Sequence, residues 1–323
     1  MDSGAQELLE IFIITYNRST HLDNTLRQLV GCPFTKFPIT ILDNCSEDDT
    51  YDIFSKYQSQ FPRLNYIKNK INIGADANVL RAAELSDGRY TWILCDDDSY
   101  DFSICNDVLS ELAKGEVAAI MVGWSNEFVW PTNSMYNRPT NLLKNDFPYF
   151  SVPTFVPGSI FKTELFQDQI RNSYANIVNL LPVMTYYINL YESDNAVYVS
   201  KKKIVAATGQ GGYDYSFLRV MFAVVNTFYL IKPQEVRRKA FYDSYLKPSF
   251  IKVIKHTLLM SDPKNNVLFL LKYKYYNLLT WDLKIIYLII YCISPFLNSS
   301  YFSKYITKLI AKFKRKRLSS LAS

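Results

Sequence analysis

Short apolar runs alternate with amphipathic stretches through the first hundred residues. Ile11–Thr15 is a continuous apolar run ending in a threonine, the pattern of a buried strand. Leu22, Leu26 and Leu29 then recur at helical spacing, with Ser19 placed to cap that helix. Pro38–Asp43 predicts a second strand, and Ser46–Asp49 offers capping oxygens and first-turn acids to a helix through Ile53, Phe54 and Tyr57. Leu64–Lys68 predicts a third strand, Asn72–Gly74 a turn, and Ala75–Leu85 a third helix closed by Asp87 and Gly88. Tyr90–Cys95 is the fourth strand. Strand and helix alternating at this spacing argue for a parallel α/β sheet with helices on both faces.

The pattern then loosens. Ser103–Lys114 reads as a helix and Val117–Val122 as a strand. Glu127–Tyr149, rich in Pro, Asn and aromatics, has no clear period and is expected to be a loop region over a site, or irregular surface. Val156–Phe161 and Ala196–Val199 are further strand candidates, Gly209–Gly212 is a turn, and the chain reads as helical from Phe217 on. A boundary is expected near residue 215, with 1–215 as the α/β domain and 216–323 as a helical region. Ile285–Ile293 is apolar but broken by Ser294 and Pro295, short of the ~18–20 residues a spanning helix needs. Tyr301–Arg317 sets Tyr305, Ile306, Leu309, Ile310 and Phe313 against a lysine-rich face, the profile of an interfacial helix on anionic lipid. The blander readings are a solvated tail or a docked helix.

Polar groups gather where the first four strands end. Thr15, Tyr16, Asn17 and Arg18 follow strand one, Asp43 and Asn44 strand two, Asn72 to Gly74 the third, and Asp96, Asp97 and Asp98 the fourth. In open parallel sheets ligands bind beyond these carboxyl ends. Three adjacent carboxylates repel one another unless a cation or many donors sit there, and their hard oxygens suit Mg²⁺ or Mn²⁺.

The formal charge of +6 over 323 residues is modest, but it is unevenly spread. No acid follows Asp282, while Lys304, Lys308, Lys312, Lys314, Arg315, Lys316 and Arg317 crowd the last segment. Basic residues confined to one tail disfavour nucleic-acid binding. Five cysteines without metal spacing fit a reducing cytosol, and the acidic, polar first residues are not those of a secretory signal. His21 and His256 are isolated, so packing or surface roles are expected; Lys201–Lys203 with the Gly209–Gly212 turn reads as a solvated basic turn, the alternative being a cradle for a pyrophosphate or a closure over it.

The segments Ile13–Arg18, Leu42–Asp48, Asn72–Gly74 with Asn78, and Gly88–Asp98 resemble, in order and spacing, the family 2 glycosyltransferases with the GT-A fold. Among these the chain is most similar to bacterial enzymes of O-antigen or capsule assembly, of abequosyltransferase type. The resemblance implies a mixed sheet flanked by helices, a nucleotide-sugar-binding half over 1–100 and an acceptor half over 101–215. It implies that Thr15, Tyr16, Asn17 and Arg18 pack around base and ribose and that Asn72, Gly74 and Asn78 pass near the donor. It implies that Asp43 accepts a hydrogen bond from the base, a task suited to an acceptor-only carboxylate. Asp96 and Asp98 match the outer positions of the DXD motif, with Asp98 as direct metal ligand and Asp96 holding ribose or a metal-bound water, beside Asp97. A divalent cation, Mn²⁺ or Mg²⁺, is implied across the diphosphate. The implied partners are a nucleotide-diphosphate sugar and a glycan acceptor, carried by a lipid at the inner face of the cell membrane.

The chain departs from the family on the acceptor side. Members that invert usually carry an acidic base where this chain runs through Asn172–Tyr187, and here that stretch has no acid. Asp168, Glu192 and Asp194 are nearby, and Asp194, ahead of a predicted strand, is the chosen base. A nucleotidyltransferase is disfavoured because no glycine cluster follows strand one, and a catalytically degenerate sugar-binding protein of polysaccharide assembly is the remaining rival.

Overall fold

The computed structural model describes residues 7–102, 105–123, 130–179, 181–201, 203–207, 223, 225–246 and 266–293. The chain divides into two compact units, Met1–Leu230 and Ile231–Ser323.

The first unit is built on β1 (Leu9–Thr15), α1 (Ser19–Leu29), β2 (Ile39–Asp43), α2 (Thr50–Tyr57), β3 (Leu64–Lys68), α3 (Ala75–Leu85) and β4 (Tyr90–Cys95). Ile11, Ile13, Ile39, Ile41, Ile93 and Leu94 are fully buried, because helices cover both faces of the strands and no polar alternation is needed. β1 pairs in parallel with β2 on one side and β4 on the other, while β3 lies outside β2. The chain therefore winds outward through β2 and β3 and returns across β1 to place β4. That reversal leaves a crevice beyond the carboxyl ends of β1 and β4.

Past β4 the sheet becomes mixed. The remaining strands are β5 (Ser99–Tyr100), β6 (Ala119–Met121), β7 (Met135–Asn137), β8 (Ser159–Lys162), β9 (Val197–Val199) and β10 (Val205–Ala207). The eight-stranded sheet has the order β3-β2-β1-β4-β8-β6-β9-β7, and β5 and β10 form a separate antiparallel pair. β8 runs antiparallel to both β4 and β6, and β9 is parallel to β6. The helices of this half are α4 (Cys105–Lys114), α5 (Pro139–Lys144), α6 (Thr163–Gln167), α7 (Ile170–Ala175) and α8 (Met184–Ser193).

Several expectations are corrected. Ser19 is the first residue of α1 rather than its cap; its N–H is taken by Asp48 Oδ2 at 2.8 Å, from the loop after β2. Within Glu127–Tyr149, expected to lack regular structure, lie β7 and α5. The local pattern there is obscured because β7 pairs with β9 sixty residues away in the sequence, as Tyr136 with Tyr198. Val156–Gly158 is a 3₁₀ turn, so β8 begins only at Ser159.

The second unit holds α9 (Gln234–Phe241), α10 (Asn266–Leu278) and α11 (Trp281–Ile293). Tyr275 of α10 is fully buried against Phe241 of α9 and Tyr287 of α11, with ring centroids 5.5 and 5.8 Å apart. The segments Gly209–Gly212 and Tyr301–Arg317 and residue His256 lie outside the described residues. No helix among the described residues is long and apolar enough to cross a membrane.

Candidate active site

A cavity of ≈ 450 Å³ opens at the crevice between β1 and β4, within the size range of ligand pockets. Thr15, Tyr16 and Arg18 wall it on the β1 side, Asp96 and Asp97 on the β4 side, and Asn72, Gly74 and Asn78 at the start of α3. Eight of the sequence-predicted residues are thus brought together. Asn44, which ends β2, lines it as well.

The β1 and β4 ends are joined across the crevice. Thr15 Oγ1 donates to Asp96 Oδ2 at 2.6 Å, and Thr25 Oγ1 of α1 donates to the Asp96 carbonyl at 2.8 Å. Arg18 Nη1 lies 2.8 Å from Asp97 Oδ2 and 3.4 Å from Asp96 Oδ1. Burial pushes the Asp96 carboxyl up to about 6, with Thr15 and Arg18 pulling it down and the Asp97 charge adding to the rise. The buried Tyr100 hydroxyl closes the turn from below, donating to the Cys95 carbonyl at 2.7 Å and accepting from the Cys95 N–H at 3.0 Å.

The Asn72–Gly74 turn is held by an amide ladder. Asn69 Nδ2 donates to Asn44 Oδ1 at 3.0 Å and to Asn78 Oδ1 at 2.8 Å; Asn44 Nδ2 donates to Asn72 Oδ1 at 2.8 Å. Asn44 Oδ1 also accepts from the Ile73 N–H, and Asn72 Oδ1 from the Gly74 N–H. Gly74 sits at φ +89°, a region open to glycine, and so lets the chain turn into α3. Asn69 and its ladder role were missed from the sequence, although Asn69 directly follows β3 and so meets the strand-end criterion.

Four expected residues are placed elsewhere. Asp43 is fully buried and does not line the cavity; its Oδ1 accepts from the Ser46 N–H at 2.8 Å and its Oδ2 from the Tyr66 hydroxyl at 2.5 Å. In this structure it fastens the β2 loop to β3 instead of facing a base. Asn17, at φ +51°, accepts from the Glu47 N–H through its side chain and gives its own N–H to Ser46 Oγ, so it ties two loops together. Asp98 faces a neighbouring hollow shared with His21, Asn24 and Gln28.

Asp194, chosen as the base, lies at the other edge of the sheet. Val197 pairs with Ala119, Ala119 with Phe161, and Phe161 with Thr91 near the start of β4, so the residues ahead of β9 sit opposite the carboxyl-end crevice. Asp194 ends α8 in the left-handed conformation, and its Oδ1 accepts from Thr140 N–H and Oγ1 at the start of α5. It caps a helix at the edge opposite the crevice, away from any acceptor beside the donor cavity.

The acidic turn fits a divalent cation. Three carboxylates meet there, and Arg18 pairs with two of them, Asp96 and Asp97. Oxygens of Asp97 and Asp98 and the Cys95 sulfur lie within 4.8 Å of one another. Burial and the neighbouring aspartates push the Cys95 thiol well above its ordinary pKa, and a soft sulfur suits a hard ion poorly. Asp96 is held by Thr15 at 2.6 Å and Asp97 by Arg18 at 2.8 Å, so each has an oxygen engaged within the turn. Asp97 and Asp98 are the carboxylates that converge most closely.

Fold and crevice together have the GT-A architecture expected from the sequence. Residues 10–168 match the model for glycosyl transferase family 2. The chain is 32% identical over 96 residues to abequosyltransferase RfbV of Salmonella typhimurium, covering 28% of each chain. It is 28% identical over 123 residues to the Escherichia coli glucosyltransferase WfaP, which takes UDP-Glc to a diphosphoundecaprenol-linked GlcNAc, covering 38% of this chain and 47% of that one. The matched stretches span only 28% to 56% of the first three curated relatives' own length. Staphylococcus aureus TarS 1–349 with UDP-GlcNAc has the same fold, at a TM-score of 0.55 and 20% identity over 84% of this chain and 79% of that one. So has the Pyrobaculum calidifontis mannosyltransferase PcManGT with GDP-Man and Mn²⁺, at 0.51 and 13% over 89% and 87%.

Proposed function

We propose that this protein transfers a sugar from a nucleotide-diphosphate donor to a hydroxyl of a glycan in bacterial polysaccharide assembly. The observation that carries it is the cavity at the β1/β4 crevice, which lies inside the segment matched by the family and sets Arg18 and the acidic turn at one end. Residues 1–100 form the donor half of this reading and 101–215 the acceptor half. The half-exposed Tyr16 ring offers a stacking face to the base, and the Asn72–Gly74 turn and Asn78 flank the ribose. Arg18 orients the diphosphate, and Asp97 and Asp98 hold the divalent cation, Mn²⁺ or Mg²⁺. When bound, that ion neutralises the charge that builds on the leaving nucleotide. Asp96, pinned by Thr15, fixes the distance between the two sides of the site. A lipid-linked acceptor at the inner membrane face, met through the basic Tyr301–Arg317 segment, completes the proposal, supported by the acceptor named for WfaP.

A donor screen tests it directly. Thermal shift and nucleotide release are followed with UDP-, GDP-, CDP- and dTDP-sugars in the presence of Mn²⁺. One donor is expected to stabilise the protein and to be turned over with acceptor glycan. Stabilisation without turnover favours a sugar-binding protein instead, a reading supported by the acid-free stretch Asn172–Tyr187 and by the capping role of Asp194. No response to any donor overturns both.

A further inference from the structure

Helix α11 is apolar on two sides, and one of those sides is uncovered. Leu283 and Tyr287 face inward and are buried. Trp281, Ile285, Leu288 and Ile289 are 76%, 57%, 47% and 55% exposed, and Cys292 is exposed as well. At 100° per residue these five positions fall within an arc of about 100°, one continuous stripe along the helix. Lys284, the one cation of the helix, is buried, with its ammonium 4.9 Å from the ring centroids of Tyr276 and of Trp281, at the edge of the stripe. Exposed Asp282 flanks the opposite edge, and the stripe positions themselves carry no charged side chain.

We propose that this stripe is a membrane-contact surface, on which α11 lies flat in the interface of a bilayer bearing anionic headgroups. The helix has 13 residues, about 20 Å of length, so it cannot span a hydrocarbon core of ~30 Å but can bury one face along it. Trp281, at one end of the stripe, is the residue type that anchors at the headgroup level. Charge complementarity selects the lipid: beyond Asp282 the sequence holds no acid and carries seven Lys and Arg between 304 and 317. This deepens the membrane reading above by naming a second contact element ahead of the basic segment, and it stands independently of which sugar is moved.

The test uses the full chain with vesicles of phosphatidylcholine, with and without phosphatidylglycerol. Binding is expected with phosphatidylglycerol present, with a fall of roughly 100-fold or more in vesicle affinity for Ile285→Glu/Ile289→Glu. Circular dichroism and melting temperature should stay unchanged, since both positions face solvent. In a parallel measurement, brominated lipid should quench tryptophan fluorescence in the parent protein and quench it less in Trp281→Phe. Unchanged vesicle binding in the double variant, with no quenching difference for Trp281→Phe, means the basic segment alone meets the membrane and overturns the proposal. A parent protein that ignores vesicles but is a dimer, and becomes a monomer in the double variant, makes the stripe an interface between copies and also overturns it. Donor turnover with a soluble acceptor is measured alongside, so a failure here is separable from a failure of the sugar-transfer reading.

Discussion

The two halves of the first unit use the same polar residue types for opposite ends. Over residues 1–100, Thr15, Arg18, Asn72, Asn78, Asp96 and Asp97 converge on one cavity. Over residues 101–215, three acids brace the fold. Asp107 of α4 accepts from Tyr198 at 2.6 Å, Ser134 at 2.8 Å and Ser200 at 3.0 Å, tying the helix to β9 and to the approach of β7. Glu111, one turn on and buried, accepts from the Tyr136 hydroxyl and from Lys114 at 3.1 Å. Asp194 caps α5. A carboxylate that accepts from hydroxyls of neighbouring elements is a fastener, whereas one held beside two others is poised for a cation.

The largest effect that sharpens this contrast is expected at the acidic turn. Asp98→Asn and Asp97→Asn should each lower metal-dependent donor turnover by roughly 10²–10³-fold with the fold intact by circular dichroism. Turnover that survives both would remove the turn from the site. The comparison breaks from the other side if Asp194→Ala has a similar effect. The expected outcome is an unchanged kcat and a loss of about 1 kcal/mol in chemical denaturation, as for other helix caps.

A middle-sized effect is expected at the amide ladder. Asn69→Leu leaves Asn44 and Asn78 short of a donor in a buried setting, a cost of about 1–3 kcal/mol in unfolding free energy. Because Asn44 and Asn78 line the cavity, donor KM should rise as well; a stability loss with unchanged KM would make the ladder purely structural.

The smallest effect concerns pH. Burial raises the Asp107 carboxyl, but the hydroxyls of Tyr198, Ser134 and Ser200 outweigh it and hold the group below its ordinary 3.8. A group depressed in the folded state adds stability above its unfolded value and loses it as pH falls through the folded value. The stability gap between the parent and Asp107→Asn should therefore be full near neutral pH and shrink below about pH 4. A gap that does not narrow in acid would show that Asp107 is not ionised in the fold.

The contrast also explains what could be read in advance. Over residues 1–100 each strand is a local apolar run, and parallel pairing puts all carboxyl ends on one edge, so strand order pointed to Thr15, Tyr16, Arg18, Asn44, Asn72, Gly74, Asp96 and Asp97, while Asn78 came from the family resemblance. The orientation of Asp43, Asn17 and Asp98 was not legible, because it depends on partners such as Tyr66 on β3 and Glu47 in the next loop. In the acceptor half the strands have three or four residues and pair across long separations, so β7 and α5 left no periodic trace. Asp194 was misread for a related reason: its position before a strand was visible, but not which end of the sheet that strand starts from.

Asp48 joins the two loops that rim the donor cavity. One of its oxygens takes the Ser19 N–H and the other takes the Thr50 N–H at 3.2 Å, so a single side chain spans the first turns of α1 and α2. Asn17 and Ser46 add a second rivet beside it. The β1 and β2 sides of the rim are then one plate rather than two flaps.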